Sequence, residues 1–292
     1  KLGEPLQVKT ILVRHFKDGP YRQLMTDDFT KIEEDHAIRV VVETIGGVEA
    51  AYEYTKRALN AGKHVVTANK QLVAETALEV KECKERWGMT PTQLTDELGM
   101  YAYGGGGYHC VHMEEKDFEI FRKRGLTAVT NPASNLKLAS GIAPVKRFLD
   151  EGIALAIGTD GPASNNCLDM FREMFLTTGL QKAVCEDPEA VPAIEVLKMA
   201  TTGGAHAMGL SECDCIQAGK KADLLLIDLN QPNMQPLRNL EKNLVYSGSK
   251  QNVKMTMVGG NVLYQDGEFY LDCPKEEIFE KANEIAQKIL GE

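Results

Sequence analysis

Apolar residues in this chain gather in short β-branched runs separated by amphipathic stretches, a pattern that predicts strands alternating with helices. Residues 8–13, in the phrase LQVKTILVR, and residues 38–43, IRVVVE, read as two strands, the second closed by Gly46 and Gly47. The stretch between them is polar and rich in Asp and Lys. From 48 to 60, Val48, Ala51, Tyr52, Ala58 and Leu59 fall near one face of a helix that Gly62 ends. HVVTA at 64–68 is a third strand, and the order strand, strand, helix, strand implies parallel pairing with a right-handed crossover. A further helix begins at Thr76, with Glu79 completing a capping box and Val80, Cys83 and Trp87 on one face.

The same alternation continues. Residues 107–111 and 126–129 read as strands, separated by a helix with Phe118 and Phe121 inward and Gly125 at its end. Residues 142–152 contain a helix led by Pro144, a residue suited to a first helical turn. That helix delivers the chain into 153–166, IALAIGTDGPASNN. Six parallel strands are thus expected, starting near residues 8, 38, 64, 107, 126 and 153. The fold class is α/β, either an open sheet or an incomplete TIM-type barrel. After the C-terminal helices, LLLID and VKMTMVGGNVLYQDG read as antiparallel strands with a glycine or Asp-Gly turn. An open sheet edge would expose apolar strand surface unless the C-terminal segment or a second copy in a homo-oligomer covers it.

One carboxylate stands out. Asp160 follows a buried-looking run at the C-terminal end of its strand, where loops gather and ligands bind in parallel α/β folds. It also reads as a helix cap or turn residue.

Composition narrows the classes. The 292 residues, 43% of them hydrophobic, suffice for one large or two ordinary domains. No apolar run approaches the ~20 residues that span a bilayer, and no basic-then-apolar leader opens the chain, so a cytoplasmic protein is expected. A net charge of −9 argues against nucleic-acid or anionic-membrane partners. The balance is uneven: residues 1–72 carry 11 Lys and Arg against 10 Asp and Glu, so the acidity lies in the remainder. Seven scattered cysteines without a CxxC pair read as reduced thiols.

Two resemblances are carried by particular motifs. VVETIGGVEAAYEYTKRALNAGKHVVTANK resembles the nucleotide-binding domain of homoserine dehydrogenase, over roughly residues 1–72. This implies a partial Rossmann-like segment with Lys70 near the nicotinamide end of an NAD(P) cofactor. No GxGxxG precedes residue 72, however, so the turn that admits a pyrophosphate is missing and NAD(P) binding is not expected. Lys70 then reads as a surface lysine.

From about residue 73 onward the chain resembles the methylthioadenosine/S-adenosylhomocysteine deaminases of the amidohydrolase superfamily. The motifs are AETALEVKECKERWGMTP, GGGGYHCVHM, NPASNLKLASGIAP, GTDGPASNNCLDMF and GKKADLLLIDL, in family order. The resemblance implies a partial barrel over 73–215, followed by β-sandwich strands and a tail helix over 216–292. It also implies an adenine nucleoside substrate and one divalent metal, usually Zn2+, that activates water. Asp160 would bind the metal and shuttle a proton, Glu75 would handle protons at the ring nitrogen, and His109 would contact the leaving-group side. His112 is either a second-layer residue or simply the top of the next helix.

The departures from that pattern are specific. The family supplies an HxH pair and a histidine three positions before the glutamate; this chain contains no HxH, and Leu72 stands at the third position. A replacement metal site would draw on His64, His109, His112 or Cys110. The two resemblances overlap at residues 73–75, as in a chimera joined strand on strand. Three readings follow: a metal-dependent aminohydrolase, a non-catalytic chimeric chain, and a nucleotide-binding dehydrogenase remnant.

Overall fold

The computed structural model describes residues 7–45, 49–67, 83–85, 87–102 and 104–290. Lys70, Glu75, Leu72 and the Thr76/Glu79 capping box lie outside these residues, as does the 72–73 boundary between the two resemblances. Contacts divide the chain into two compact units, Lys1–Leu94 and Thr95–Glu292.

In the first unit, β1 (Ile11–Leu12) pairs in parallel with β2 (Met25–Thr26), and β3 (Val40–Glu43) pairs in parallel with β4 (His64–Thr67). The register of the second pair runs from Val40 opposite His64 to Glu43 opposite Thr67. A short helix α1 (Thr30–Glu33) precedes β3, and α2 (Glu49–Asn60) makes the crossover from β3 to β4. Ala51 and Ala58, two turns apart, are fully buried on α2, and Gly62 follows at φ 70°, the left-handed region a helix terminator favours. Phe29, Ile32 and Ala58 form a small core, with Leu12, Ile38, Val41, Tyr54 and Val65 packed against it.

Two expectations change here. Tyr52 is exposed, with the Lys56 ammonium 6.0 Å from its ring, whereas Tyr54 turns inward onto Phe29 at a centroid distance of 4.7 Å. Among the described side chains of α2, small alanines and not Tyr52 take the buried positions. The segment between the first two expected strands also contains β2 and α1. These elements, of two and four residues, are too short for a periodic signal.

The second unit is built on a three-stranded parallel sheet in the order β5–β6–β7. These are Gly106–Tyr108, Thr127–Thr130 and Ala154–Ile157. Helix α3 (Glu115–Arg124) crosses from β5 to β6. It opens on a capping box between Glu114 and Asp117 and ends on Gly125 at φ 62°. Phe118 and Phe121 are buried on its inner face, against Phe148 at centroid distances of 5.0 and 6.1 Å. Two short helices separate β6 from β7, α4 (Pro132–Lys137) and α5 (Val145–Asp150), the latter with Pro144 at its N-cap. Beyond β7 come α6 (Met170–Cys185), capped by the Asp169 side chain, and α7 (Ala193–Lys198). A π-helical turn, Met199–Gly203, then packs against β7 so closely that a Cβ on Gly203 would lie 2.2 Å from the Leu155 carbonyl oxygen.

The C-terminal strands form one antiparallel sheet in the order β11–β10–β9–β8. They are Leu224–Ile227 (β8), Val253–Val258 (β9), Asn261–Gln265 (β10) and Glu268–Phe269 (β11). The hairpins turn at Gly259-Gly260 and Asp266-Gly267, all at positive φ, as the sequence predicts. A helix, Leu240–Tyr246, lies between β8 and β9, and a longer one, Lys275–Leu290, ends the described chain.

The six expected parallel strands are all present, and among the described residues they form, together with the unexpected β2, three separate parallel sheets of two, two and three strands. Local pattern specifies that a β-branched run is extended, but not which neighbour it pairs with. Among the described residues no helix is long and apolar enough to cross a membrane.

Phe121→Ala removes a fully buried ring and is expected to destabilise the second unit by about 3–5 kcal/mol in denaturant unfolding. Tyr52→Ala, at an exposed ring, is expected to change stability by no more than ~0.5 kcal/mol.

Candidate active site

The ends of β5, β6 and β7 lie side by side because the strands are parallel and in register, with Tyr108 opposite Val129 and Val129 opposite Ala156. The residues that follow each strand therefore emerge at one edge of the sheet. His109 and Cys110 follow β5, α4 follows β6, and Gly158 to Asn165 follow β7. Strand β5 stops short of the expected residue 111 because His109 and Cys110 both turn to positive φ, 65° and 49°. Asp160 is also left-handed, at φ 60°. Such backbone is uncommon for residues other than glycine, and each instance costs of order 1–3 kcal/mol that the surroundings must offset. Gly158 allows the third loop to leave its strand, since a Cβ there would meet Asn131 Oδ1 at 2.4 Å.

Helix α4, following the middle strand, joins the two flanking loops. Ser134 Oγ donates to Asp160 Oδ2 at 2.7 Å, and the adjacent Asn135 Oδ1 lies 2.7 Å from His109 Nδ1. Consecutive residues of one helical turn thus hold one group on each side. Ser164 Oγ also donates to Asp160 Oδ2, at 2.5 Å, and the Gly161 N–H donates to Oδ1 at 2.7 Å. His109 Nε2 stands 3.9 Å from Asp160 Oδ2. Asn135 Oδ1 is an acceptor, so the contact fits His109 carrying its proton on Nδ1 and presenting Nε2 as the free base in its neutral form. Buried Asn135 Nδ2 has no hydrogen-bond partner among the described residues.

Electrostatics keep Asp160 charged. Partial burial, the largest single influence, pushes its pKa up. The hydroxyls of Ser164 and Ser134, the Gly161 N–H and nearby His109 together outweigh that influence and hold it below the ordinary carboxylate value. Cys110 behaves oppositely: burial pushes its thiol up to about 12, so it is a neutral thiol at physiological pH. Beneath the sheet edge, Glu173 of α6 is fully buried. It accepts from the Ala133 N–H at 3.0 Å and from Asn165 Nδ2 at 2.7 Å.

Of the residues singled out in the sequence, His109 and Asp160 are brought together. His112 is exposed, and Cys110 is half-buried beside Gly107, where a Cβ would meet its Sγ at 2.8 Å. His64 lies on β4, in the first unit. Ser134, Asn135, Ser164, Asn165 and Glu173 were not singled out, although the first four fall in the NPASN and GTDGPASNN phrases. Their only sequence signal is the density of small polar residues after two apolar strands.

Residues 21–263 match the sequence pattern of the amidohydrolase family. This chain belongs to that family. It is 39% identical over 254 residues to a 5-methylthioadenosine/S-adenosylhomocysteine deaminase from Caldanaerobacter subterraneus, covering 87% of this chain and 58% of the relative. A deaminase of the same name from Nitratidesulfovibrio vulgaris is 45% identical over 195 residues, 67% of this chain and 44% of that protein. Among solved structures, an adenosine deaminase from Xanthomonas campestris with bound zinc superposes with a TM-score of 0.73 at 30% identity, over 86% of this chain and 57% of that one. An atrazine chlorohydrolase from Arthrobacter aurescens, also with zinc, gives 0.65 at 22% identity over 79% of this chain and 50% of its own, a likeness of fold alone. The amidohydrolase chain described here spans less than two thirds of the length of these relatives. The family match begins at residue 21, inside the stretch that resembles homoserine dehydrogenase. That resemblance, and with it a chimera of two families, finds no support in these comparisons.

The depressed Asp160 pKa makes a signed prediction. A carboxyl held below its unfolded value contributes stability that is present above about pH 3.9 and lost as pH falls through the folded value. Ser134→Ala and Ser164→Ala each remove a hydroxyl donor, so both are expected to raise the Asp160 pKa, read by carboxyl-carbon NMR titration.

Proposed function

We propose that this amidohydrolase chain carries the proton-handling part of an aminohydrolase site acting on adenine nucleosides of the methylthioadenosine/S-adenosylhomocysteine type. In such a reaction water adds to the ring carbon bearing the amino group, the exocyclic C–N bond breaks, and ammonia leaves. The single observation behind the reading is Asp160, held ionised by three donors at the mouth of a parallel sheet with His109 Nε2 3.9 Å away. An ionised carboxylate there takes a proton from the attacking water and returns it to the departing nitrogen. His109 has its Nδ1 occupied by Asn135, which leaves Nε2 for the role this reading gives it, contact with the leaving-group side. The role expected for Glu75, the proton at the ring nitrogen, rests on the sequence resemblance alone.

In this family the metal supplies an activated water. The described residues do not fit such an ion. Among them no three His, Cys, Asp or Glu side chains gather as a ligand set, the Cys110 thiol is neutral, and Asp160 Oδ2 already accepts two hydroxyls. No step above passes through a metal. That mismatch favours a second reading, in which the chain keeps the family fold without turning substrate over by itself. A dehydrogenase role through Lys70 has no such observation behind it.

Ammonia release from methylthioadenosine, S-adenosylhomocysteine and adenosine, measured with added zinc and alongside metal content per chain, separates the readings. The expected outcome is deamination that Asp160→Asn lowers by about 10²–10⁴-fold. A folded chain that retains no zinc and releases no ammonia at high protein concentration would leave only the second reading.

A further inference from the structure

Glu173 is a fully buried carboxylate that the proton transfers do not use. Its two oxygens face two different segments. Oε2 accepts the Ala133 N–H in the first turn of α4, a group that the helix itself cannot satisfy. Oε1 accepts Asn165 Nδ2, and the same Nδ2 donates to the Thr159 carbonyl oxygen at 2.8 Å, one residue before Asp160. Asn165 Oδ1 in turn accepts the Cys167 N–H at 3.3 Å, which fixes which way the amide points. Glu173 therefore grips the backbone that carries Ser134 and Asn135 on one side and, through Asn165, the backbone that carries Asp160 on the other.

Both partners are donors, so the arrangement needs an acceptor at each oxygen. An ionised carboxylate provides two; a protonated acid or an amide provides one and places a donor against a donor. Burial, the main influence on this group, raises its pKa, and the bonds from Ala133 and Asn165 oppose that rise. A buried charge is retained at such a place only where its hydrogen bonds recover much of the desolvation cost. Thr177 Oγ1 donates to the Glu173 carbonyl oxygen at 2.8 Å, and Asp169 caps the same helix, so α6 is itself held firmly.

We propose that Glu173 is the positioning residue of this site: its carboxylate, clamped between Ala133 and Asn165, sets the placement of His109 relative to Asp160. The functional meaning rests on the aminohydrolase reading given above. The structural claim does not, and its test needs neither metal nor turnover.

The experiment is NMR on the full chain, comparing wild type with Glu173→Gln. Two signals report the two arms: the ring nitrogens of His109, assigned by His109→Gln, and the Gly161 amide proton that donates to Asp160. Glutamine offers one acceptor to two donors, so one arm breaks whichever way its amide turns. In a variant that still unfolds cooperatively, the expected result is loss of the Nδ1–H form of His109 or an upfield shift of the Gly161 amide. Both signals unchanged in a folded variant would overturn the proposal. If Glu173→Gln gives no dispersed spectrum, Asn165→Ser decides, because it cuts the arm to Thr159, along with the Cys167 N–H bond, and leaves the Ala133 arm in place. There the Gly161 amide is expected to shift while His109 keeps its Nδ1 proton, and an unmoved Gly161 signal would overturn the proposal. Failure of deaminase activity would leave both readouts intact, so the two hypotheses fail separately.

Discussion

The site depends on one constraint: a helix that follows the middle strand of a three-stranded parallel sheet must begin between the ends of both neighbours. With the order β5–β6–β7 in register, the first turn of α4 touches the loops after β5 and β7 at once. It uses consecutive residues to do so, Asn135 toward His109 and Ser134 toward Asp160. Adjacent helical positions point about 100° apart, so one turn reaches both sides without a bend. The hydrophobic core beneath, with Phe118, Phe121 and Phe148, keeps the strands in register and thereby keeps those reaches constant.

This placement carries local cost. His109, Cys110 and Asp160 all hold left-handed backbone, and Asn135 Nδ2 is buried unpaired among the described residues. Strain of this kind persists where surrounding bonds over-determine the conformation, and here the bonds can be named: Ser134, Ser164 and Gly161 on Asp160, and Asn135 on His109. The same bonds that fix Asp160 also keep it ionised, so geometry and charge state have a common cause. Cys110, one residue from His109, shows the contrast. Burial there finds too little compensation, and the thiol stays neutral.

Much of the second unit was legible in the sequence because its signals are strong and local. Phe118 and Phe121 three apart with Gly125 after them, and the Asp-Gly turn at 266–267, each specify one element regardless of neighbours. Sheet partnership was legible where a helix joins two strands, as for 40–43 and 64–67, but not for 11–12, whose partner at 25–26 lies in a stretch with no strand signal. In the site, Asp160 and His109 were legible from their motifs. Ser134, Asn135, Asn165 and Glu173 were not: Ser134, Asn135 and Glu173 act through contacts 26 to 40 residues away in sequence, Asn165 through its bond to Glu173, and a glutamate inside a helix reads as a solvated position.

The hydrogen bonds also decide which oxygen of Asp160 can work. A carboxylate oxygen offers about two acceptor directions. Oδ2 spends both on Ser134 and Ser164, while Oδ1 has only the Gly161 N–H. The remaining lone pair is therefore on Oδ1, the oxygen to which the proposed function would give the proton transfer, whereas Oδ2 is the anchored one and faces His109 Nε2. An anchored oxygen and a free one on the same carboxylate give the group a fixed orientation without silencing it. This is the arrangement expected where a base must hold its direction while its proton comes and goes.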